Sequence, residues 1–393
     1  MCSGVNHYHR PVKPRPSRAR ILILSFSRLT VDARILTQIT FSSETYDVDT
    51  CGFGDAPAGV ATHYSIPTGL SANRPYSRLL RLRLFGIAYW RMGAVRWARR
   101  ALKDGRWDAI IANDPETLPL AMTLGSPRHV LADLHEYSPR MREDLPGWSH
   151  VYRPYYEWLC RRFASRAGAA STVSRGLANE YANQFGFTAV VLPNATPYRE
   201  GSPQPTGQPL RLVHSGAGLP NRGLELMIDA VENCAHDVTL DLYLVPSNIA
   251  VMERLRARTA RSPRVRLHDP VAYDQLVSTL SEYDVGVFVL PPATFSYAHA
   301  LPNKLFDFVQ ARLAIIVGPT PEMAELVREH DLGFVTADFS AEALCAVLEA
   351  VSRDDIDQAK AASSRAARAL ASENLSRQWQ VLVDRLVTGG RTG

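Results

Sequence analysis

The chain has 393 residues, of which 46% are hydrophobic and 21% charged, with a formal net charge of +5. That length exceeds what one compact core usually reaches, and the composition excludes a disordered chain, so two globular domains are expected. The modest positive charge suits anionic partners such as sugar nucleotides or phospholipids and does not point to nucleic acid.

Residues 1–18 are basic and Pro-rich and lack the apolar core of a signal peptide, which predicts a disordered tail. Short apolar runs then alternate with longer amphipathic ones. In the first half the predicted strands are 20–26, 46–52, 61–67, 107–113, 129–134, 169–174 and 188–193, with helices around 32–44, 77–104, 149–167 and 174–185. Runs that are apolar almost throughout are what parallel strands covered on both faces require. A cluster of Pro, Gly and Ser ends the pattern and marks a linker at 197–209 between domains at 19–196 and 210–372. The alternation restarts with strands at 210–216, 238–245, 265–268, 284–290, 313–318 and 333–337, and residues 373–393 hold a last amphipathic helix and tail. The fold class is therefore α/β, with two Rossmann-like domains facing each other across a cleft.

Cysteines 2, 51, 160, 234 and 345 are scattered without a CxxC pair, so no metal site and no disulfide framework is expected, and a reducing cytoplasm fits. No apolar run approaches the ~20 residues that span a bilayer.

The stretch HALPNKLFDFVQARLAIIVG, 299–318, is the most informative. Pro302 suits a first helical turn, whose free N–H groups and dipole attract anions. Lys304 adds a charge there, and Asp307 falls on the same helical face, where a carboxylate can accept from ribose hydroxyls. The alternative is an ordinary helix with a solvated Lys–Asp pair.

ALPNKLFDFVQARLAIIV, following VFVLPP, resembles the "lPnKlfEy…aGlPvv" segment of the family 4 glycosyltransferases of the GT-B fold. The resemblance extends over most of residues 20–387: SFSRLTVDARILTQI, IIANDPETLPLA, VLADLHEYSPR, ASTVSRGLANEYANQFGFTAVVLPN and RLVHSGAGLPNRGLELMIDAV each match a family segment in order. It implies transfer of a sugar from a nucleoside diphosphate, UDP- or GDP-linked, to a glycan, lipid-linked or small-molecule acceptor, with retention and without a separate cofactor. It assigns His135, Arg222 and Lys304 as catalytic, and Gly216, Gly218, Arg222, His299, Leu301, Pro302, Asn303, Lys304 and Asp307 to the donor. Asp32, Arg34, Asp114 and Glu136 fall on the acceptor side. Two departures stand out: Ala217 replaces a common Arg, and His299 replaces the first of two glutamates eight residues apart, Asp307 the second. The bland alternatives are a helix-start salt bridge for Asp32 and Arg34, an N-cap for Asp114, a loop residue for His299 and a buried histidine for His135.

Residues 74–106 hold ten Arg/Lys and one acid, Asp104. On one continuous helix, Arg78, Arg81, Arg96, Arg99, Arg100 and Lys103 would form a stripe suited to an anionic membrane at the inner face or to a polyprenyl-linked acceptor. Gly86 and Gly93 argue for a break. A sugar-nucleotide epimerase and a catalytically silent sugar-nucleotide-binding subunit remain as rival readings, the latter because of Ala217 and His299.

Overall fold

The computed structural model describes residues 18–389 except 73, 74 and 76; all but the last residue of the 1–18 tail lies outside these. The N-terminal sheet has seven parallel strands: β1 (Arg20–Arg28), β2 (Asp47–Phe53), β3 (Thr62–Ile66), β4 (Ala109–Asn113), β5 (Val130–Leu134), β6 (Ala169–Thr172) and β7 (Val190–Val191). The C-terminal sheet has six: β8 (Leu210–Ala217), β9 (Val238–Val245), β10 (Val265–His268), β11 (Val285–Phe288), β12 (Ala314–Val317) and β13 (Gly333–Val335). Their orders are β3-β2-β1-β4-β5-β6-β7 and β10-β9-β8-β11-β12-β13. The order reverses direction at β1/β4 in one sheet and at β8/β11 in the other, which are the places where ligands enter such sheets.

The helices of the first domain are α1 (Ala33–Thr45), α2 (Ser77–Arg81), α3 (Phe85–Trp90), α4 (Gly93–Ala101), α5 (Leu118–Leu124), α6 (Trp148–Val151), α7 (Arg153–Arg162) and α8 (Arg175–Phe185). Those that follow are α9 (Leu224–Asn233), α10 (Ile249–Thr259), α11 (Tyr273–Leu280), α12 (Phe295–Ala298), α13 (Asn303–Gln310), α14 (Pro321–Glu329), α15 (Ala341–Ala350), α16 (Arg353–Ala366) and α17 (Ser372–Gly389). Each sheet separates two apolar cores. Ile21 to Leu24 on β1 are fully buried and point alternately into both, which is why the run carries no polar alternation.

From 192 to 209 the chain forms neither helix nor strand as it crosses to the second domain. It returns after α16, and α17 lies on the first domain. There Trp379, Leu382, Val383, Leu386 and Val387 cover Ile21, Ile23 and Ile35. Each apolar side chain buried this way contributes roughly 1.5–3 kcal/mol, so the final helix closes one face of the N-terminal sheet.

The continuous helix expected across 77–104 is not formed. Arg83 takes a left-handed backbone (φ +59) between α2 and α3, and α4 restarts at Gly93. The proposed cationic stripe is dissolved accordingly. Among the described residues no helix is long and apolar enough to cross a membrane.

Candidate functional site

The last residues of β8 include His214, Ser215 and Gly216 ahead of the final Ala217, and the loop beyond it delivers Arg222 to the start of α9. Gly223 is left-handed (φ +68), and a Cβ there would lie 2.1 Å from the carbonyl oxygen of Val289. Glycine alone lets this loop pass so close to the end of β11.

Lys304 occupies the second position of α13. Its Nζ lies 3.2 Å from His214 Nε2 and 3.7 Å from the centre of the Phe288 ring. Gly216 leaves the room: a Cβ there would sit 2.7 Å from Lys304 Nζ. His214 Nδ1 is 2.9 Å from the Val287 carbonyl oxygen, to which it donates, leaving Nε2 to accept from the lysine. Burial, then the lysine charge, holds His214 well below its ordinary pKa, so it is neutral.

Arg222 stacks its guanidinium 4.7 Å over the Tyr297 ring, and its Nε is buried without a hydrogen-bond partner. Burial, followed by the charge of Arg222, pulls the Lys304 pKa well below the usual lysine range. Two basic groups therefore oppose each other's charge in a desolvated place, and an anion bound beside them would favour the charged form of Lys304. α13 begins beside them without a side-chain cap, and Leu301, Pro302 and Asn303 are half-buried rather than covered. Pro302 is the N-cap, one residue ahead of the first turn where the sequence placed it.

Across the crevice stands the end of β5. His135 Nε2 lies 3.0 Å from Asn113 Oδ1 and 3.2 Å from Asp133 Oδ2, and its Nδ1 is 3.8 Å from Asp114. Burial pulls its pKa down, but the Asp114 charge and the hydrogen bond to Asp133 outweigh that and raise it to about 9. His135 is thus an imidazolium at neutral pH. Glu136 is exposed beside it.

Several expected roles need correction. Arg34 is 2% exposed and binds Asp133 through two nitrogens at 2.7 and 2.5 Å, with a third contact to the Leu192 carbonyl at 2.8 Å. It holds β5 to α1 and stacks 4.5 Å over Trp379 rather than reaching an acceptor. Asp32 caps α1, accepting from Ile35 N and from Ser27 Oγ, and forms no salt bridge with Arg34. Asp114 does not cap the turn after it; its carboxylate accepts from His135 N at 3.2 Å.

On the donor side, Asp307 is 4% exposed and accepts from Thr196 Oγ1 at 2.5 Å. Burial raises its pKa to about 6. Its bond with Thr196 fastens α13 to the chain that crosses between the domains. Gly218 makes room for Met252, whose sulfur would lie 2.3 Å from an added Cβ. His299 sits at the domain boundary: its Nδ1 is 3.3 Å from Glu322 and its carbonyl accepts from Ser174 at 2.8 Å. Glu322 in turn accepts from the free N–H groups of Arg175 and Gly176, so a carboxylate of one domain caps α8 of the other.

His214, Tyr297, Glu116 and Glu322 escaped the sequence reading. His214 lies inside an apolar strand run, and the others depend on tertiary neighbours. Cys234, Cys345 and Glu349 bring their ligand atoms within 4.8 Å of one another, at the opposite end of α9 from Arg222.

Residues 18–195 match the model of a glycosyl transferase 4-like domain, and residues 209–354 match glycosyl transferases group 1. The chain belongs to the GT-B glycosyltransferases of family 4.

No curated protein matches the sequence of this glycosyltransferase. Its fold is shared with solved structures of low identity. Alr3699/HepE of Anabaena in complex with UDP is 15% identical, covering 93% of this chain and 99% of its own, with a TM-score of 0.68. A sucrose-phosphate synthase from Thermosynechococcus elongatus is 13% identical over 95% and 100%, with a TM-score of 0.71. An alpha,alpha-trehalose-phosphate synthase (UDP-forming) from Burkholderia vietnamiensis is 12% identical over 95% and 99%, with a TM-score of 0.67. The two facing parallel-sheet domains of this glycosyltransferase are thus the GT-B architecture.

Proposed function

We propose that this glycosyltransferase moves a hexosyl or related group from a UDP- or GDP-sugar, with retention, to a hydroxyl of an acceptor seated on the N-terminal domain. One observation carries the reading: Arg222 and Lys304 lie within range of each other's charge beside the uncapped start of α13. When the bond from the anomeric carbon to the leaving diphosphate breaks, charge grows on the leaving oxygen. Both cations and the first N–H groups of α13 stabilise it. His135, already protonated, donates to the donor sugar and orients it. The acceptor hydroxyl attacks from the face the diphosphate leaves and passes its proton to it.

UDP is the favoured nucleotide, because HepE binds it and the trehalose-phosphate synthase forms it on the same fold. A thermal-shift screen of UDP-, GDP-, ADP- and dTDP-sugars tests this, since a tight ligand raises the melting temperature by mass action. The UDP series is expected to shift it, and an NMR assay of the product to show the donor's anomeric configuration. No shift with any of the four, or an inverted product, overturns the reading.

The acceptor in this proposal is lipid-linked and met at the cytoplasmic face of the membrane. Leu82, Leu84 and Ile87 are exposed at the α2–α3 turn, interleaved with exposed Arg78, Arg81 and Arg83, a surface suited to anionic lipid. Flotation with acidic liposomes is expected to recover the protein and to lose it when all three apolar residues become Ser. Equal recovery of both proteins rejects membrane docking.

A further inference from the structure

The N-terminal domain has its own pocket at the reversal point of its sheet, between the carboxyl ends of β1 and β4. It encloses about 80 Å³, lined by Ser25, Ser27, Asn113, Asp114, Glu116 and Thr117. That is room for a few hydroxyl-sized groups, one edge of a ring rather than a whole one.

Most of the lining is already bonded. Ser27 donates to Asp32, Asn113 is engaged with Gln38 and Leu24, and Thr117 Oγ1 bonds the carbonyls of Asn113 and Asp114. Glu116 differs. Its Oε1 accepts from the Tyr156 hydroxyl at 2.7 Å, while its Oε2 is buried with no partner. A buried acceptor without a donor is costly, so such atoms call for an occupant.

The neighbouring Asp114 keeps a left-handed backbone (φ +65), which a residue other than glycine holds only when its surroundings enforce it. Asp133 O accepts its N–H at 2.8 Å, and its carboxylate accepts from His135 N. Asp114 is therefore a wall shared by the pocket and by His135, which joins the pocket to the reaction centre.

We propose that this pocket is the subsite for a neutral, hydroxyl-bearing ring of the acceptor, with Glu116 Oε2 accepting from one of its hydroxyls. The inference rests on the transferase reading and names the acceptor class for it. Two carboxyl groups line the pocket, so a phosphate or carboxylate would bring repulsion and only further acceptors, whereas a hydroxyl brings the missing donor. Burial, then the Asp114 charge, pushes the Glu116 carboxyl up to about 7, in keeping with an oxygen that lacks a donor.

Saturation-transfer NMR on the full chain with UDP tests the subsite. The neutral probes are methyl α-D-glucoside, methyl α-D-mannoside and myo-inositol, compared with glucose 6-phosphate and methyl glucosaminide. At least one neutral probe is expected to bind wild type better than either charged comparator. Glu116→Gln keeps the carbonyl that Tyr156 donates to and replaces the free acceptor with an NH2 group. It is expected to weaken the neutral probe about tenfold or more while leaving UDP affinity unchanged. Glu116→Asp, which keeps the charge and withdraws it by one methylene, is expected to weaken it too and stands in should the Gln variant misfold. The subsite is overturned if no neutral probe binds, if a charged comparator binds more tightly, or if the variants bind as wild type does. Failure of wild type to bind UDP is a separate result and contradicts the donor reading instead.

Discussion

Lys304 Nζ and His214 Nε2 lie 3.2 Å apart where α13 meets β8. Neutral His214 accepts from the ammonium, and its own Nδ1–H is anchored on Val287, so the lysine is aimed by the sheet rather than by a counter-ion. Lys304→Ala is expected to lower kcat by about 10²–10³ with the far-ultraviolet spectrum unchanged. Lys304→Arg is not expected to rescue it, because a planar guanidinium differs in shape and bonding geometry from the ammonium that stands beside His214 Nε2. Steady-state kinetics with a UDP-sugar checks both.

Gly216→Ala tests the same site through the backbone. The new Cβ would fall 2.7 Å from Lys304 Nζ, and a displacement of about 1 Å costs roughly a hundredfold in rate. Gly218→Ala instead crowds Met252 and is expected to lower the melting temperature with a smaller effect on turnover. Parallel kinetics and melting curves separate the two.

The buried pair of Arg34 and Asp133 is a stability element. Removing one partner strands the other, so Arg34→Ala is expected to cost about 3–5 kcal/mol in denaturant unfolding. A variant as stable as wild type that loses only acceptor affinity would return Arg34 to the acceptor side.

His135 gives a pH dependence. Its folded pKa, about 9, exceeds the ordinary 6.5, so the folded state holds a proton that the unfolded state releases. The stabilisation is present in full below about pH 6.5 and is lost as pH rises through about 9. The stability gap between wild type and His135→Gln is expected to narrow by on the order of 3 kcal/mol between about pH 6 and pH 10. Unfolding curves across that range measure it.

The sheets were legible because parallel strands buried on both faces must be apolar along their middle, as Ile21 to Leu24 are in β1. The helix start at Lys304 was legible because Pro302 and Asn303 directly before it are residues that open helices. Contacts set by distant chain were not. Arg34 finds Asp133 99 residues away, and Asp307 finds Thr196 111 residues away, so local spacing suggested solvent-facing roles for side chains that the fold buries. The glycines at 86 and 93 hinted at the broken helix, but the left-handed turn at Arg83 carries no local signature.

Calorimetric titration of UDP, with uridine as the comparator, reads the cradle most directly. For wild type, UDP is expected to bind far more tightly than uridine. In the Arg222→Ala/Lys304→Ala double variant that advantage is expected to fall by about a hundredfold or more, as loss of two charged hydrogen bonds implies, with uridine affinity unchanged. A double variant that still prefers UDP as strongly as wild type would mean that these two cations do not hold the diphosphate.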